Sequence, residues 1–204
     1  RSRIEGADLV VVMGSRFSEV PSQSFTLLEN GESGQKLVHI HASEVSRFPQ
    51  ADVIIRSHPS AVLLQLTRLN PEVDRGTWTL DAHQDYLRWS DPPIIPGNIQ
   101  MGVLIKHLRA TLADEAIVCN GAGNYATWVH RFFRFRKHGS QLAPTSGSMG
   151  YGLPAAIGAQ LGCPDELVIA VVGDGGFQMT MFELATAANH KLPIKVLIIN
   201  NRYL

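Results

Sequence analysis

The second half of the chain alternates short apolar runs with helical stretches, and the apolar runs end in turns rich in glycine and amide side chains. Residues 167–172 form one such run, which ends at Gly173-Asp174-Gly175, and a later run ends at Asn200-Asn201. Residues 176–199 lie between these turns and have room for one helix and one strand of a βαβ crossover. The pattern predicts an α/β fold, a doubly wound parallel sheet with ligand-binding turns at the carboxyl ends of neighbouring strands.

The two turns carry the oxygen atoms that a magnesium ion needs when it also holds a diphosphate. Asp174 and Asn201 can each supply one side-chain oxygen, and Mg²⁺ sites usually take only one or two such ligands from the protein. Gly175 and Gly176 lack a β-carbon and are expected to precede a helix, so that their N–H groups can approach phosphate oxygens. A lone Gly-Asp-Gly is a common turn, so the prediction depends on the coupled pair.

A second segment, residues 146–159, reads Ser-Gly-Ser-Met-Gly-Tyr-Gly-Leu-Pro-Ala-Ala-Ile-Gly-Ala. Alone, it is typical of a small-residue helix packed tightly on a sheet. Together with the Gly-Asp-Gly and Asn-Asn turns, it resembles the signature of the thiamine diphosphate (ThDP) enzymes, the superfamily of acetolactate synthase, pyruvate decarboxylase and pyruvate oxidase. The resemblance implies the ThDP-binding fold, with ThDP and Mg²⁺ as cofactors.

The resemblance also implies roles for individual residues. Asp174, Asn201 and the backbone carbonyl of Tyr203 occupy the positions that bind the metal in this superfamily. Gly175 and Gly176 then lie beside the diphosphate.

The segment around Met149 takes the position that contacts the organic part of the cofactor in the superfamily. Met149 is expected to be the apolar wedge that holds the cofactor bent, with its 4′-amino group close to the thiazolium C2 atom. The carbonyl of Gly147 and the N–H of Met149 are expected to contact the aminopyrimidine ring, and Ser148 lies between them.

A third segment, residues 119–125, follows the short apolar run 116–118 and takes the place of the first diphosphate-binding turn of the superfamily. Acetolactate synthases usually carry Gln-His at the positions of Ala122 and Gly123, so the chain departs from them here and its subfamily stays open. A glycine-rich turn between a strand and a helix can still donate to a terminal phosphate. The candidate cofactor-binding residues of this turn are Gly121, Ala122, Gly123 and Asn124.

Composition excludes several other classes of function. The chain has 204 residues, 45% of them hydrophobic, which is enough for a buried core, and its formal net charge is zero. Nucleic-acid and membrane-surface proteins normally carry a basic excess, so neither kind of partner is expected. Two cysteines and no apolar run of about 20 residues predict a cytoplasmic protein without a disulfide framework or a membrane span.

The order of predicted elements divides the chain into two unequal domains. Residues 1–72 read as part of a Rossmann-like α/β middle domain, with strands at 9–13, 36–41 and 53–56 and a helix at 59–69. Residues 73–97 read as a linker with a helix at 81–89, and residues 98–204 as the ThDP diphosphate-binding domain, truncated at its C-terminus. Asn98 is the expected N-cap of a helix that ends at Leu112.

In the superfamily, a glutamate of a separate pyrimidine-binding domain promotes ylid formation on the cofactor, and the active site joins two subunits. No residue of this chain is assigned that role. The resemblance therefore implies half of an active site, a homodimer or homotetramer for the full-length enzyme, and an isolated fragment without activity.

Three other features suggest further ligands. His39 and His41 face the same side of a predicted strand, although no further metal ligand lies at the usual spacing. That strand ends without the acidic residue that often marks nucleotide binding, so FAD stays an unsupported alternative for the middle domain. The basic run at residues 131–138 could hold an acidic ligand tail or single-stranded nucleic acid, but a solvated loop or a subunit contact is the commoner outcome.

The sequence is thus interpreted as a ThDP- and Mg²⁺-dependent enzyme that decarboxylates 2-oxo acids and transfers the product, as acetolactate synthases do. A simple decarboxylase, a flavin-linked oxidase and an acyl-CoA lyase are the alternatives within the superfamily. A non-catalytic assembly module that retains the cofactor fold is the alternative from another class. A nicotinamide dehydrogenase is disfavoured, because no strand leads into Gly-x-Gly-x-x-Gly with an acidic residue about twenty positions later.

Overall fold

The structure is a computed structural model that describes residues 1–28, 34–43, 51–69 and 76–201. The chain forms two compact units, Arg1–His83 and Gln84–Leu204. Each unit contains its own parallel sheet with flanking helices, which confirms the predicted α/β class. Within the described parts of the chain, no helix combines the length and the apolar character that crossing a membrane requires.

The N-terminal unit contains a three-stranded parallel sheet in the order β1-β2-β3. Its elements are α1 (Ser2–Glu5), β1 (Leu9–Met13), β2 (Lys36–His41), β3 (Val53–Arg56) and α2 (Pro59–Leu66). All three predicted strands have the predicted bounds, and each contains the β-branched residues Val or Ile, which favour strands. Helix α2 ends three residues before the predicted position, and the chain continues from it in a turn at Thr67 and Arg68.

The C-terminal unit contains a four-stranded parallel sheet in the order β5-β4-β6-β7. Helix α3 (Trp78–Trp89) includes the point at which the two units divide. The elements that follow are α4 (Met101–Thr111), β4 (Ile117–Asn120), α5 (Ala126–Phe132), β5 (Gln141–Leu142), α6 (Gly152–Gly162), β6 (Val168–Gly173), α7 (Asp174–Thr180), α8 (Leu184–Asn189) and β7 (Lys195–Ile199). Strand β5 was not predicted, because two residues give no periodic pattern.

Both faces of the C-terminal sheet are covered, as the continuous apolar character of its central strands predicts. Strand β4 is buried at every residue, and β6 at every residue except its last. Val118 and Val171 pack on one face with Ile105 and Phe132, whereas Cys119 and its neighbours pack on the other face against α6. Burial of each large apolar side chain contributes about 1.5–3 kcal/mol, so this sheet is a rigid support for the turns at its edge.

Two local predictions about helices were wrong, and a third helix is longer than predicted. Helix α4 begins after Gln100 rather than Asn98, and the Gln100 side chain instead bonds Ile95 and the carbonyl of Gly97. The helix predicted at 81–89 begins three residues earlier, at Trp78. The single helix expected within residues 176–199 is divided into α7, a 3-10 turn (Met181–Glu183) and α8.

Candidate functional site

The carboxyl ends of β4, β6 and β7 lie side by side at one edge of the C-terminal sheet. Asn120 of β4 pairs with Val171 of β6, and Gly173 of β6 pairs with Ile199 of β7. The Gly-Asp-Gly and Asn-Asn turns therefore leave neighbouring parallel strands, as their spacing predicts. Two segments far apart in sequence thus meet through the pairing of the strands.

An open cleft lies at this edge of the sheet. Its lining comes from the turn after β4, the segment before α6, the β6–α7 turn and the end of β7. The lining residues are Ala122, Gly123, Asn124, Tyr125, Met149, Gly173, Asp174, Gly175, Gly176, Ile199 and Asn201.

The cleft unites most of the residues that the sequence analysis selected as cofactor ligands. Eight candidates line it: Ala122, Gly123, Asn124, Met149, Asp174, Gly175, Gly176 and Asn201. Gly121 is buried behind the lining, Gly147 and Ser148 do not belong to it, and Tyr203 lies outside the described residues. Sequence reasoning did not select Tyr125, Gly173 or Ile199 as ligands, although Tyr125 directly follows the candidate turn.

Helix α7 begins at Asp174 itself, with Gly173 as its N-cap residue in an extended conformation. The prediction that Gly175 and Gly176 precede the helix was therefore wrong, because both lie in its first turn. Both residues can still donate to a ligand, since the N–H groups in the first turn of a helix have no acceptor within the helix. Among the described residues, no Lys, Arg or His forms an ion pair with Asp174, so its carboxylate can face a bound cation.

The turn that contains Met149 is held against the end of α7. The Thr180 hydroxyl donates to the carbonyl of Gly150 at 3.1 Å, and a β-carbon on Gly150 would lie 3.2 Å from the Thr180 methyl group. Gly150 has a φ of +82°, which favours glycine. Met149 belongs to this turn and is 42% exposed. Its large apolar side chain therefore lines the cleft and is not buried in the core.

A hydrogen-bonded pair of amide side chains fixes the start of the turn after β4, residues 121–124. Asn120 is 1% exposed; its Nδ2 donates to the carbonyl of Gly121 at 3.0 Å, and its Oδ1 accepts from Gln141 Nε2 at 3.1 Å. Gln141 Nε2 also lies 3.2 Å from His130 Nδ1. This network required the pairing of β4 with β5, which the sequence pattern did not reveal.

Helix α6 approaches the end of β4 closely enough to require glycine. A β-carbon on Gly152 would lie 2.9 Å from the backbone nitrogen of Gly121 and 2.7 Å from Val172 Cγ1. Because a backbone atom cannot move aside as a flexible side chain can, this contact fixes the distance between α6 and the first turn.

Tyr125 lies between the turn after β4 (residues 121–124) and the turn at Gly173-Asp174, and it contacts both. Burial raises the pKa of its phenol, and the backbone amides of Gly173 and Gly121 oppose that rise. The hydroxyl therefore remains protonated at neutral pH.

The basic run at residues 131–138 is engaged within the C-terminal unit. Arg131 Nε donates to the carbonyl of Trp89 at 2.7 Å, and Arg134 donates to Ser90 Oγ at 2.7 Å. Arg136 pairs with Asp114 at 3.2 Å. These contacts favour a structural role for the run over an acidic-ligand site.

The histidine pair of the N-terminal unit has no metal-site partners in the described part of the chain, where no group of three or more His, Cys, Asp or Glu side chains could hold an ion. His39 is buried, and its Nε2 lies 3.0 Å from the carbonyl of Ser15. His41 Nδ1 lies 3.1 Å from the carbonyl of Ser43. The pair is thus satisfied by neighbouring polar groups.

The cleft matches the chemistry of a magnesium diphosphate with an attached organic group. It combines carboxylate and amide oxygens, backbone N–H groups at a helix N-terminus, and the thioether of Met149. Gly173, Gly175 and Gly176 place no side chain in the space between these groups. The residues present therefore fit ThDP with Mg²⁺.

Residues 121–204 match the family described as thiamine pyrophosphate enzyme, C-terminal TPP binding domain. The chain is 33% identical over 208 residues to the acetolactate synthase large subunit of Corynebacterium glutamicum, covering 97% of the chain and 33% of that protein. It is also 33% identical over 204 residues to the acetolactate synthase large subunit of Lactococcus lactis, covering 97% of the chain and 35% of that protein. The chain thus spans about a third of the length of these relatives.

A solved structure has the same fold over almost the whole chain. It is the Rhodococcus jostii RHA1 thiamine diphosphate-dependent 4-hydroxybenzoylformate decarboxylase, with a TM-score of 0.68 and 24% sequence identity. The match covers 98% of this chain and 37% of the other. Residues 121–204 thus match the thiamine pyrophosphate-binding domain family, and over nearly its whole length the chain is similar to the large subunits of acetolactate synthases.

Proposed function

We propose that the cleft holds the diphosphate of ThDP through a magnesium ion. Asp174 and Asn201 supply side-chain oxygens to the metal, and the carbonyl of Tyr203 is the third protein ligand. The meeting of Asp174, Asn201 and the first turn of α7 in one cleft carries this proposal. The cation offsets the repulsion between the carboxylate and the phosphates, and the N–H groups of Gly175 and Gly176 donate to phosphate oxygens.

The remaining candidates act on the other parts of the cofactor. Met149 supports the bent shape of the cofactor, whereas Gly147 and Ser148 belong to the turn that faces the aminopyrimidine ring. The first turn, residues 121–124, adds donors to the terminal phosphate. When bound, ThDP supplies a nucleophilic carbon for attack on a carbonyl and an electron sink for decarboxylation.

For the full-length protein, we propose an enzyme that acts on 2-oxo acids by decarboxylation and carboligation, and its similarity to proteins named acetolactate synthase supports this proposal. A decarboxylase is the second candidate, since the Rhodococcus jostii enzyme of the same fold is named a 4-hydroxybenzoylformate decarboxylase. Among the described residues of the N-terminal unit, no contact supports FAD binding. The absence of a disulfide between Cys119 and Cys163 is in keeping with a cytoplasmic enzyme.

The rest of the active site is proposed to come from another domain and a second subunit. A glutamate of the pyrimidine-binding domain activates the cofactor, and the working enzyme is a homodimer or homotetramer. Several apolar side chains of the Met149 turn, of α7 and of the 3-10 turn after it are exposed and suited to such a contact: Met149, Tyr151, Met179, Met181 and Phe182. The isolated chain is accordingly expected to bind cofactor without turning over substrate.

Thermal unfolding of the full-length protein with and without ThDP and Mg²⁺ tests the proposal. A ligand at about 100 times its Kd stabilises the native state by roughly 2.7 kcal/mol, so wild type is expected to melt several degrees higher with both ligands. Asp174→Ala is expected to lose this increase while keeping its melting temperature without ligand. A wild type that gains nothing from ThDP and Mg²⁺ would overturn the proposal.

A further inference from the structure

Three glycines from two different turns share one neighbour, the side chain of Tyr125. A β-carbon on Gly121 would lie 2.6 Å from the Tyr125 hydroxyl oxygen, and one on Gly123 would lie 2.9 Å from Cε1 of the ring. A β-carbon on Gly173 would lie 3.0 Å from the same ring carbon. Gly121 and Gly123 precede α5, whereas Gly173 ends β6, so one aromatic ring touches both turns that line the cleft.

Tyr125 is well anchored for this position. It is the N-cap residue of α5, and it packs against the apolar cluster that includes Val129 and Val171. Its ring also belongs to the cleft lining. One side of the side chain is thus held by the core while the other faces the space beside Asp174.

We propose that Tyr125 is a positioning residue that couples the first turn to the Gly173-Asp174 turn and thereby holds Asp174 where it can bind the metal. This inference rests on the proposed ThDP and Mg²⁺ site. Tyr125 acts through the backbone, because its rigid ring fixes the separation between the ends of β4 and β6. Since the distance between metal and phosphate ligands must be held within a fraction of an ångström, a displaced turn weakens cofactor binding.

Gly173 is the residue that can test this coupling, because its backbone does not require glycine. Its φ is −77° and its ψ is 159°, which any residue adopts. What opposes alanine at this position is the Tyr125 ring. Gly123 is unsuitable for the same test, since its φ of +147° strains any other residue there.

The experiment is a double-mutant cycle on the full-length protein, with the Kd for ThDP measured by calorimetry in saturating Mg²⁺. Gly173→Ala and Tyr125→Ala are each expected to weaken binding about tenfold or more. The double variant is expected to bind no more than about twofold more weakly than Tyr125→Ala, because the clash that alanine causes is gone once the ring is removed. Tyr125→Phe keeps the ring but removes the oxygen that the backbone amides of Gly121 and Gly173 contact, so it is expected to weaken binding less than Tyr125→Ala does.

Two controls separate positioning from general destabilisation. Gly158→Ala adds a β-carbon that meets nothing within 4 Å and is expected to leave the Kd unchanged. Melting temperatures without ligand report structural damage, and Tyr125→Leu replaces Tyr125→Ala in the cycle if the latter does not fold.

The outcomes distinguish this inference from the proposed function. If wild type binds ThDP and the two losses in affinity multiply in the double variant, Tyr125 does not couple the turns. The inference about Tyr125 then fails, whereas the proposed ThDP site stands. A loss in Tyr125→Phe as large as that in Tyr125→Ala would also overturn it, because the hydroxyl rather than the ring would then matter. If wild type does not bind ThDP with Mg²⁺, the proposed function fails and the inference fails with it.

Discussion

The carboxyl edges of the two parallel sheets differ in what occupies them. At the edge of the N-terminal sheet, side chains occupy the turns and bond to nearby groups: His39 lies against the carbonyl of Ser15, His41 against Ser43, and His58 caps α2. At the edge of the C-terminal sheet, the turns after β4 and β6 are rich in glycine. The cleft between them is lined by several of these glycines together with Tyr125, Met149, Asp174 and Asn201.

We infer from this difference that the end of a strand can bind a charged ligand when the turn that follows carries few side chains. In both sheets a strand leads into a helix at this edge, β3 into α2 and β6 into α7. In the C-terminal unit, close contacts made by Tyr125 and Gly152 hold the turns in place, so that the free N–H groups of the first turn of α7 can face a ligand. In the N-terminal unit, polar side chains meet the corresponding hydrogen-bonding needs.

The largest expected effect follows from the contact between α6 and the end of β4. Gly152→Ala is expected to lower the free energy of unfolding of the full-length protein by about 3 kcal/mol or more, since its β-carbon would lie 2.9 Å from the backbone nitrogen of Gly121. Chemical denaturation followed by circular dichroism measures this loss.

The matched control lies in the same helix. Gly158 is exposed and a β-carbon there meets nothing within 4 Å, so Gly158→Ala is expected to be neutral or to stabilise the protein by up to about 1 kcal/mol. Equal losses in the two variants would contradict the argument that close backbone approach, rather than helix composition, requires glycine at residue 152.

A second prediction concerns the buried strand that supports the glycine-rich edge. Burial raises the pKa of the Cys119 thiol to about 12, from an ordinary value of 9.0. Below pH 9 the thiol is neutral in both states, whereas above pH 9 the unfolded chain loses its proton first. Stability is therefore expected to fall as the pH rises from 9 towards 12, by at most roughly 1.4 kcal/mol per pH unit.

Denaturation of wild type and Cys119→Ala across this pH range isolates the contribution of the thiol. The difference in stability between the two is expected to shrink steadily with rising pH, and a constant difference would show that the thiol ionises equally in both states. Reaction with a thiol reagent at neutral pH supplies an internal comparison, because Cys163 is exposed and is expected to react in the native protein, whereas Cys119 reacts only after unfolding.

A smaller effect is expected at the edge of the N-terminal sheet. The His58 side chain accepts from the N–H of Ser60 and caps α2. His58→Ala is expected to lower the free energy of unfolding by about 0.5–1 kcal/mol and to leave the affinity for ThDP unchanged. A loss of ThDP affinity in this variant would contradict the claim that only the edge of the C-terminal sheet serves cofactor binding.

The sequence predicted those parts of the fold that depend on local pattern. The strands at 9–13, 36–41 and 53–56 were recognised from short segments that contain Val or Ile, and the meeting of Asp174 with Asn201 followed from strand spacing. Features set by contacts between distant segments were missed. Helix α7 stops at Thr180, whose hydroxyl donates to the carbonyl of Gly150, thirty residues earlier.

The role of Tyr125 illustrates the same limit within the site. Its identity and its place after Asn124 were visible in the sequence, but its contact with Gly173 depends on how β4 and β6 pair. The N-terminus of α4 was mispredicted for a related reason, since the Gln100 side chain is committed to the preceding loop. Local sequence preferences identify candidate residues, whereas the packing of distant segments determines which of these residues come into contact.

The dependence of ThDP affinity on Mg²⁺ tests the central claim most directly. The Kd of the full-length protein for ThDP is measured by calorimetry at a series of Mg²⁺ concentrations, for wild type, Asp174→Ala and the control Asp165→Ala, which removes an exposed carboxylate elsewhere in the same unit. Wild type and Asp165→Ala are expected to bind at least about tenfold more tightly with Mg²⁺ than with a chelator, whereas Asp174→Ala binds weakly under both conditions. An Asp174→Ala variant with the affinity and Mg²⁺ dependence of wild type would contradict the account.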